Sequence, residues 1–252
     1  MPERMLEGMT ALVTGASSGI GASAAERLGS AGAHVLIHYN SAAEGASATL
    51  ELVRKAGGNG ALLQADLSCM DGTRSLIDQV RGAGADILVN NAGSLLKRAP
   101  VLEMTEELWG QVFALNTTSA FFLTQALLPE MIRRGRGIVV NVTSIAARTG
   151  GGVGALAYAA AKAALSAMTK GLAREFAGQG IRVNAVSPGT IDTNYHRSFS
   201  SEQMLEGVRA ATPLGRIGTS GEVADVILFL CTPAAEFIHG QVIEVNGGFL
   251  MA

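Results

Sequence analysis

Tyr158 and Lys162 stand four residues apart in the run Tyr158-Ala-Ala-Ala-Lys162. On a helix that spacing puts both side chains on one face, one turn apart. An ammonium close to a phenol favours the phenolate, so the pair can move a proton near neutral pH, where a free phenol of pKa about 10 is a poor base. Far upstream lies a glycine-rich turn, Thr14-Gly15-Ala16-Ser17-Ser18-Gly19-Ile20-Gly21. Glycines permit a tight turn and close backbone approach, and the helix that follows offers its free N–H groups to a phosphate. A phosphate cradle and a tuned proton donor together outline a hydride-transfer enzyme that uses a nucleotide.

These residues need a frame. Short β-rich runs recur at Ala11 to Thr14, His34 to Tyr39, Ala61 to Leu63, Asp86 to Val89, Gly137 to Val142, Ile181 to Val186 and Gln241 to Val245. Several are continuously apolar, as strands buried on both faces of a parallel sheet are. Segments of helical period lie between them, at Gly19 to Ala31, Ala42 to Ala56, Asp71 to Arg81, Thr105 to Arg133, Tyr158 to Gly178 and Ser220 to Leu230. This alternation predicts an α/β Rossmann fold, a doubly wound seven-stranded parallel sheet with helices on both faces. No repeat or linker divides residues 1–252, so a single domain is expected. From Ser187 to Thr219 the text is loop-like, with a short helix predicted over Ser201 to Ala210. It leaves the C-terminal edge of the sheet, where ligands bind in this architecture, and residues 190–215 read as a substrate lid.

The formal charge of −2 lacks the basic excess of a phosphate-tracking surface, so no nucleic acid partner is expected. Cys69 and Cys231 fit no metal or redox spacing, and no ligand spacing links His34, His38, His196 and His239; no metal is expected and a reducing compartment is. The first ten residues are charged and hold no apolar segment, and no apolar run approaches the ~20 residues of a membrane span. A cytoplasmic protein with no membrane partner is the expectation.

The second strand ends at His38-Tyr39-Asn40-Ser41 without the acid that usually takes both ribose hydroxyls of NAD. Tyr39, Asn40 and Ser41 can donate hydrogen bonds to a 2′-phosphate, which favours NADP(H) while leaving NAD(H) open. Ser144 lies fourteen residues before Tyr158, and strand alternation turns its neighbour Thr143 to the opposite side.

At this point the motifs agree with a family. Thr14 to Gly21, Asp66 after the third strand, Asn90-Asn91-Ala92-Gly93 after the fourth, Asn116, Ser144, Tyr158-x-x-x-Lys162 and Pro188-Gly189-Thr-Ile-Asp-Thr193 keep their order and spacing. In this the chain resembles the classical short-chain dehydrogenases/reductases over essentially its whole length, with 3-oxoacyl-[acyl-carrier-protein] reductase-like members nearest in flavour. The resemblance implies a tetrad of Asn116, Ser144, Tyr158 and Lys162. It implies adenine contacts from Asp66 and Leu67, and support of the adenosine ribose side by Asn91, Ala92 and Gly93. It further implies a grip on the nicotinamide carboxamide by Ile191 and Thr193 after the Pro188-Gly189 turn. Tyr158 would give or take the proton, its pKa lowered by Lys162 and the oxidised nicotinamide. Ser144 would hold the substrate oxygen, and Asn116 a water leading from Lys162.

Long helices pair across subunits in the family, so a homotetramer is implied, with a dimer as the alternative. Arg133 and Arg134 suit either an acidic carrier protein or the helix dipole, and the dipole is preferred. The reading is an NADP(H)-dependent oxidoreductase acting on a small-molecule ketone or secondary alcohol. The alternatives are an NAD(H)-dependent sugar, polyol or steroid alcohol dehydrogenase and, from another class, a non-catalytic NADP(H)-binding redox sensor or scaffold.

Overall fold

The computed structural model describes residues 4–193 and 201–251. Its seven parallel strands are β1 (Thr10–Val13), β2 (His34–Tyr39), β3 (Asn59–Gln64), β4 (Ile87–Asn90), β5 (Gly137–Val142), β6 (Ile181–Pro188) and, after two short strands, β9 (Val242–Val245). They lie in the order β3-β2-β1-β4-β5-β6-β9. The order reverses between β1 and β4, and the crevice beyond their C-terminal ends is where this architecture binds ligands.

Period-two alternation divides the strand residues between two apolar layers. Val13, Val35, Ile37, Val89 and Val140 face α1 (Gly19–Ser30), α2 (Ala43–Lys55) and α9 (Ser220–Cys231). Leu12, Leu36, Leu88 and Val139 face α3 (Met70–Val80), α5 (Ser119–Arg134) and α7 (Leu156–Phe176). Truncating a buried leucine of either layer, such as Leu123, to alanine removes about 2–5 kcal/mol of stability. A hydrogen-bonded chain of polar groups crosses the second layer. Asn90 Nδ2 donates to Asn141 Oδ1 at 2.9 Å and to Thr124 Oγ1 at 3.2 Å, and Asn141 Nδ2 donates to Thr169 Oγ1 at 2.9 Å. That chain ties β4 and β5 to the helices that carry the chemistry.

The helix expected from Thr105 to Arg133 is interrupted. α4 (Glu106–Phe113) passes into a π-helical turn, Ala114–Thr118, and then into α5. A side chain competes with the regular ladder there, Asn116 Nδ2 donating to Val112 O at 2.8 Å, while Thr117 Oγ1 ties the turn to the neighbouring helix α7 through Ala161 O at 2.7 Å. The continuous helix Glu106–Arg134, 29 residues, meets the length and composition of a membrane span, which the sequence reading did not anticipate. It packs against α3, β5 and α7, and 44% of its apolar window is buried inside the protein. Arg133 pairs with Glu130 at 2.6 Å, and Arg134 reaches Glu130 at 2.8 Å and the buried Asp86 at 3.1 Å. Both charges thus have partners at the sheet edge opposite the crevice.

The expected lid is only partly loop. β7 (Ile191–Asp192) pairs in parallel with β8 (Gly218–Thr219), and α8 (Glu202–Ala211) is capped by the Ser201 hydroxyl, which accepts the Met204 N–H at 3.2 Å. Residues 194–200 of the lid, His196 among them, lie outside the described residues.

Candidate active site

The crevice is a cleft of about 1010 Å3 that runs from the glycine turn to Tyr158. Two glycines of the turn, Gly15 at φ +63° and Gly19 at φ +56°, occupy the left-handed region that other residues avoid. A Cβ on Gly15 would lie 2.9 Å from Ala92 Cα, and one on Gly21 would collide with Asn91 Nδ2 and Gly15 O. The turn is therefore pressed against the Asn91-Ala92-Gly93 segment. Asn91 Nδ2 donates to Thr14 O at 2.8 Å and Gly15 O at 3.0 Å, while Thr14 Oγ1 accepts the N–H groups of Asn91 and Ala92, each at 3.0 Å. The Asn91 amide is thus spent on shaping the turn, and it is Ala92 and Gly93 that accompany it along the cleft wall.

Of the residues expected at a cofactor, Gly15, Ser17, Ser18, Gly19, Ile20, Asn40, Ser41, Asp66, Leu67, Asn91, Ala92, Gly93, Pro188, Gly189, Ile191 and Thr193 all line the cleft. Gly21 lies under the turn, and Tyr39 stands outside the lining. Alternation along β2 sends its ring to the layer of Val35 and Ile37, where it packs against the core. His38, on the other face, lines the cleft instead. The sequence reading missed it, because a lone histidine in an apolar strand looks like any core histidine. Thr193 reaches back across the cleft, so that a Cβ on Gly19 would lie 3.2 Å from its Cγ2. The turn before it is fixed by backbone bonds from Gly189 N to Val245 O at 3.0 Å and from Gly218 N to Thr190 O at 3.0 Å.

At the far end the Ser144 hydroxyl favours the ionised Tyr158 phenol, and Ser144 Oγ accepts the Ala146 N–H at 3.1 Å. Thr143 Oγ1 donates to Val186 O at 2.9 Å, so the neighbouring hydroxyl is committed elsewhere, as expected. α7 begins at Leu156, two residues before the expected start, and this places Tyr158 in its first turn. Lys162 Nζ is buried, donates to Val142 O at 2.8 Å and lies 5.7 Å from the Tyr158 ring centroid. Asn116 Nδ2 donates to Ser94 O at 2.7 Å as well as to Val112 O, and its buried Oδ1 has no partner among the described residues. Gly93 is wedged between the two: a Cβ there would lie 2.6 Å from Asn116 Oδ1 and 2.8 Å from Lys162 Nζ. The four expected catalytic residues therefore converge around one end of the cleft.

The expected lowering of Tyr158 called on Lys162 and the oxidised nicotinamide together, and the polypeptide's own contribution runs the other way. Burial pushes the Tyr158 phenol up to about 12, the bond from Ser144 working in the opposite direction. Burial likewise pulls Lys162 down to about 7. The polypeptide's own lysine does not bring the phenol toward neutrality, because removing both groups from water disfavours their charged forms. His38, also buried, is lowered to about 4. The donors and glycines fit a dinucleotide. The turn keeps its shape because glycine stands where a Cβ would meet the Asn91-Ala92 segment or Thr193, and Asn40 and Ser41 offer polar groups where no acid stands. No group of three or more metal-ligating side chains occurs among the described residues.

Comparison with known proteins agrees with this geometry. A family model described as enoyl-(acyl carrier protein) reductase matches residues 15–250. The chain is 38% identical over 248 residues to the 3-oxoacyl-[acyl-carrier-protein] reductase of Aquifex aeolicus, covering 98% of this chain and 99% of that one. A protein from Beutenbergia cavernae, provisionally assigned as an NAD(P)-dependent gluconate 5-dehydrogenase and solved with bound NADP, superposes with a TM-score of 0.92 at 34% identity over 99% of both chains. One from Agrobacterium tumefaciens, provisionally a 2-deoxy-d-gluconate 3-dehydrogenase with bound NADP, gives 0.89 at 37% identity over 99% of both.

Proposed function

The chain belongs to the short-chain dehydrogenase/reductase family, and on that premise we propose that it is an NADP(H)-dependent oxidoreductase interconverting a ketone and a secondary alcohol, with Tyr158 as general acid/base. The observation that carries this reading is the convergence of Ser144, Tyr158 and Lys162 in the wall of the cleft that begins at the glycine turn. Nicotinamide, when bound, supplies the hydride that the carbonyl carbon takes in reduction. The substrate oxygen then needs one proton and a donor for its developing charge. Tyr158 supplies the proton from its hydroxyl, and Ser144 donates a hydrogen bond to the same oxygen. A phenol held at about 12 suits the donor role; oxidation runs the same transfer backwards and needs added positive charge nearby. Lys162, lowered to about 7 and so divided between ammonium and amine at that pH, returns a proton toward Tyr158 from its ammonium form, and Asn116 Oδ1, without a partner among the described residues, accepts from a water on that route.

Asn40, Ser41 and Ala42 line the cleft, and Ala42 caps α2 without a side-chain bond; the Ala43 N–H is taken by Ser41 O at 3.0 Å, and the Glu44 and Gly45 amides that follow lie in the first turn, where helix N–H groups serve as donors. This neutral, donor-rich corner supports NADP(H) over NAD(H). We further propose a single domain, a cytoplasmic location and a homotetramer assembled through its long helices. The test is NADPH and NADH oxidation with an acetoacetyl thioester, keto sugar acids, a steroid ketone and aryl ketones, run beside Tyr158→Phe. Turnover that Tyr158→Phe lowers at least 100-fold supports the reading. Nucleotide binding without turnover on any ketone or matching alcohol favours a sensor or scaffold.

A further inference from the structure

We propose that His38 is a positioning residue for the nucleotide: its neutral ring locks the glycine turn to the loop after β3, and the loss of that lock weakens cofactor binding without touching the chemical step. The inference rests on the NADP(H) reading above.

The ring is 2% exposed, yet it borders the cleft. Its Nδ1 lies 3.0 Å from the Gly15 backbone nitrogen, and its Nε2 lies 3.1 Å from Ala65 O. An amide N–H can only donate and a carbonyl can only accept, so these partners select one tautomer: the proton sits on Nε2 and the Nδ1 lone pair receives the Gly15 N–H. The backbone of the same strand repeats the grip. His38 O accepts the Ala16 N–H at 2.8 Å, and Tyr39 O accepts the Ala65 N–H at 3.0 Å. Two consecutive amides of the glycine turn therefore hang from one residue. Ala65 immediately precedes Asp66 and Leu67, which line the cleft. A single imidazole thus sets the spacing between the turn proposed to hold the phosphates and the segment proposed to hold the adenine.

The lock depends on charge. Protonation would place a second N–H on Nδ1 against the Gly15 N–H, replacing an attraction by donor facing donor. Burial opposes the charged ring and holds it near 4, while Asp66 favours the charge weakly. Residues 14–21 of the glycine turn carry no titratable side chain, and Tyr39 packs into the opposite layer. The ring is therefore neutral at physiological pH, with its acceptor available, and the lock loosens as pH falls toward 4.

Two variants separate the contacts. In His38→Asn the amide Oδ1 occupies the place of Nδ1 and can still accept from Gly15. In His38→Gln the Nε2 amide can still reach Ala65, but Gly15 is left without an acceptor. NADPH affinity is measured by calorimetry at pH 8 and that of the acid-stable NADP+ from pH 8 to pH 4, through the range in which the ring takes up its proton, with steady-state kinetics beside them. His38→Gln is expected to raise Kd and KM for NADPH about tenfold, the effect of one unsatisfied buried donor, with kcat within twofold; His38→Asn, which keeps the Gly15 acceptor and loses the Ala65 tie, should raise them by less. Wild-type affinity should fall more steeply with acid than that of His38→Asn, the cofactor's own phosphates titrating alike in both.

Equal affinities in the two variants, identical pH profiles for wild type and His38→Asn, or a fall in kcat with KM unmoved would overturn the proposal. Should a variant not fold, a long-range imidazole 1H–15N spectrum of the wild type decides: an Nε2-protonated neutral His38 at pH 7 supports the lock, and the other tautomer or a charged ring refutes it. A wild type that binds no NADPH at pH 8 removes the NADP(H) reading and this inference together. A wild type that binds it as tightly as His38→Gln removes this inference alone.

Discussion

Gly93→Ala isolates the geometry of the proton-handling residues, because its added methyl would touch little else. Gly93 is not among the glycines with positive φ, so the substitution strains no backbone. The new Cβ would sit 2.6 Å from Asn116 Oδ1 and 2.8 Å from Lys162 Nζ, where ordinary contact begins at 3.4 Å. The two atoms must retreat by 0.8 and 0.6 Å. Neither is the loose end of a flexible chain. Lys162 Nζ is anchored to Val142 O at 2.8 Å, and the Asn116 amide is anchored to Ser94 O and Val112 O at 2.7 and 2.8 Å.

Overpacking of this kind removes about 1–3 kcal/mol of stability. A displacement approaching 1 Å in a catalytic group lowers the rate by about 100-fold. The expected result is a folded enzyme with kcat down about 30- to 100-fold and an unfolding midpoint moved to lower urea. Gly110→Ala is the control. It lies within α4 with nothing within 4 Å of its Cβ position, and alanine there should stabilise by about 0.5–1 kcal/mol with kcat unchanged. Steady-state kinetics and urea unfolding on both variants provide the comparison. A folded Gly93→Ala enzyme with kcat within about threefold of wild type would refute the premise that Lys162 and Asn116 must hold these positions.

Three further outcomes test other parts of the structure. Lys162 is lowered from 10.5 to about 7 in the fold, so between those values the unfolded chain binds more protons and stability rises with pH. Lys162→Met lacks this term. Its stability relative to wild type should be greatest at pH 7 or below and should decline as pH climbs toward 10, whereas a difference in urea midpoint that ignores pH would contradict the burial argument. Asn91→Ala removes the donor to Thr14 O and Gly15 O; a loss of about 1–3 kcal/mol should accompany a raised KM for NADPH, and an unchanged KM would show that the turn keeps its shape without the amide. Asp86, 3% exposed on its side chain, accepts from Thr10 N at 2.9 Å and faces Arg134 and Arg136 at 3.1 and 3.2 Å. Asp86→Ala should reduce stability by about 2–3 kcal/mol and leave kcat alone, because Asp86 lies just before β4, at the edge of the sheet away from the cleft; a comparable loss of kcat would show coupling between the two edges.

What was legible in the sequence is what depends on neighbours along the chain. Apolar runs of strand length separated by helical periods specify the sheet and its two covering layers. Glycine spacing specifies a turn that only positive φ can make, and Tyr158 four before Lys162 specifies a shared helix face. Those patterns carry the family and its chemistry, since each is local and repeats with a fixed period.

The three-dimensional packing decided what meets across the fold. That Ser144 touches Tyr158, that Gly93 parts Asn116 from Lys162, and that His38 rather than Tyr39 faces the cleft depend on strand order and on which layer each face joins. The π turn at Asn116 exists because a side chain competes with the helix ladder, a contest that period alone does not reveal. The direction of the Tyr158 shift also belongs to the fold. Proximity to an ammonium predicts a lowered phenol, but enclosure raises it, and desolvation is set by everything that surrounds a group rather than by its neighbour four residues away.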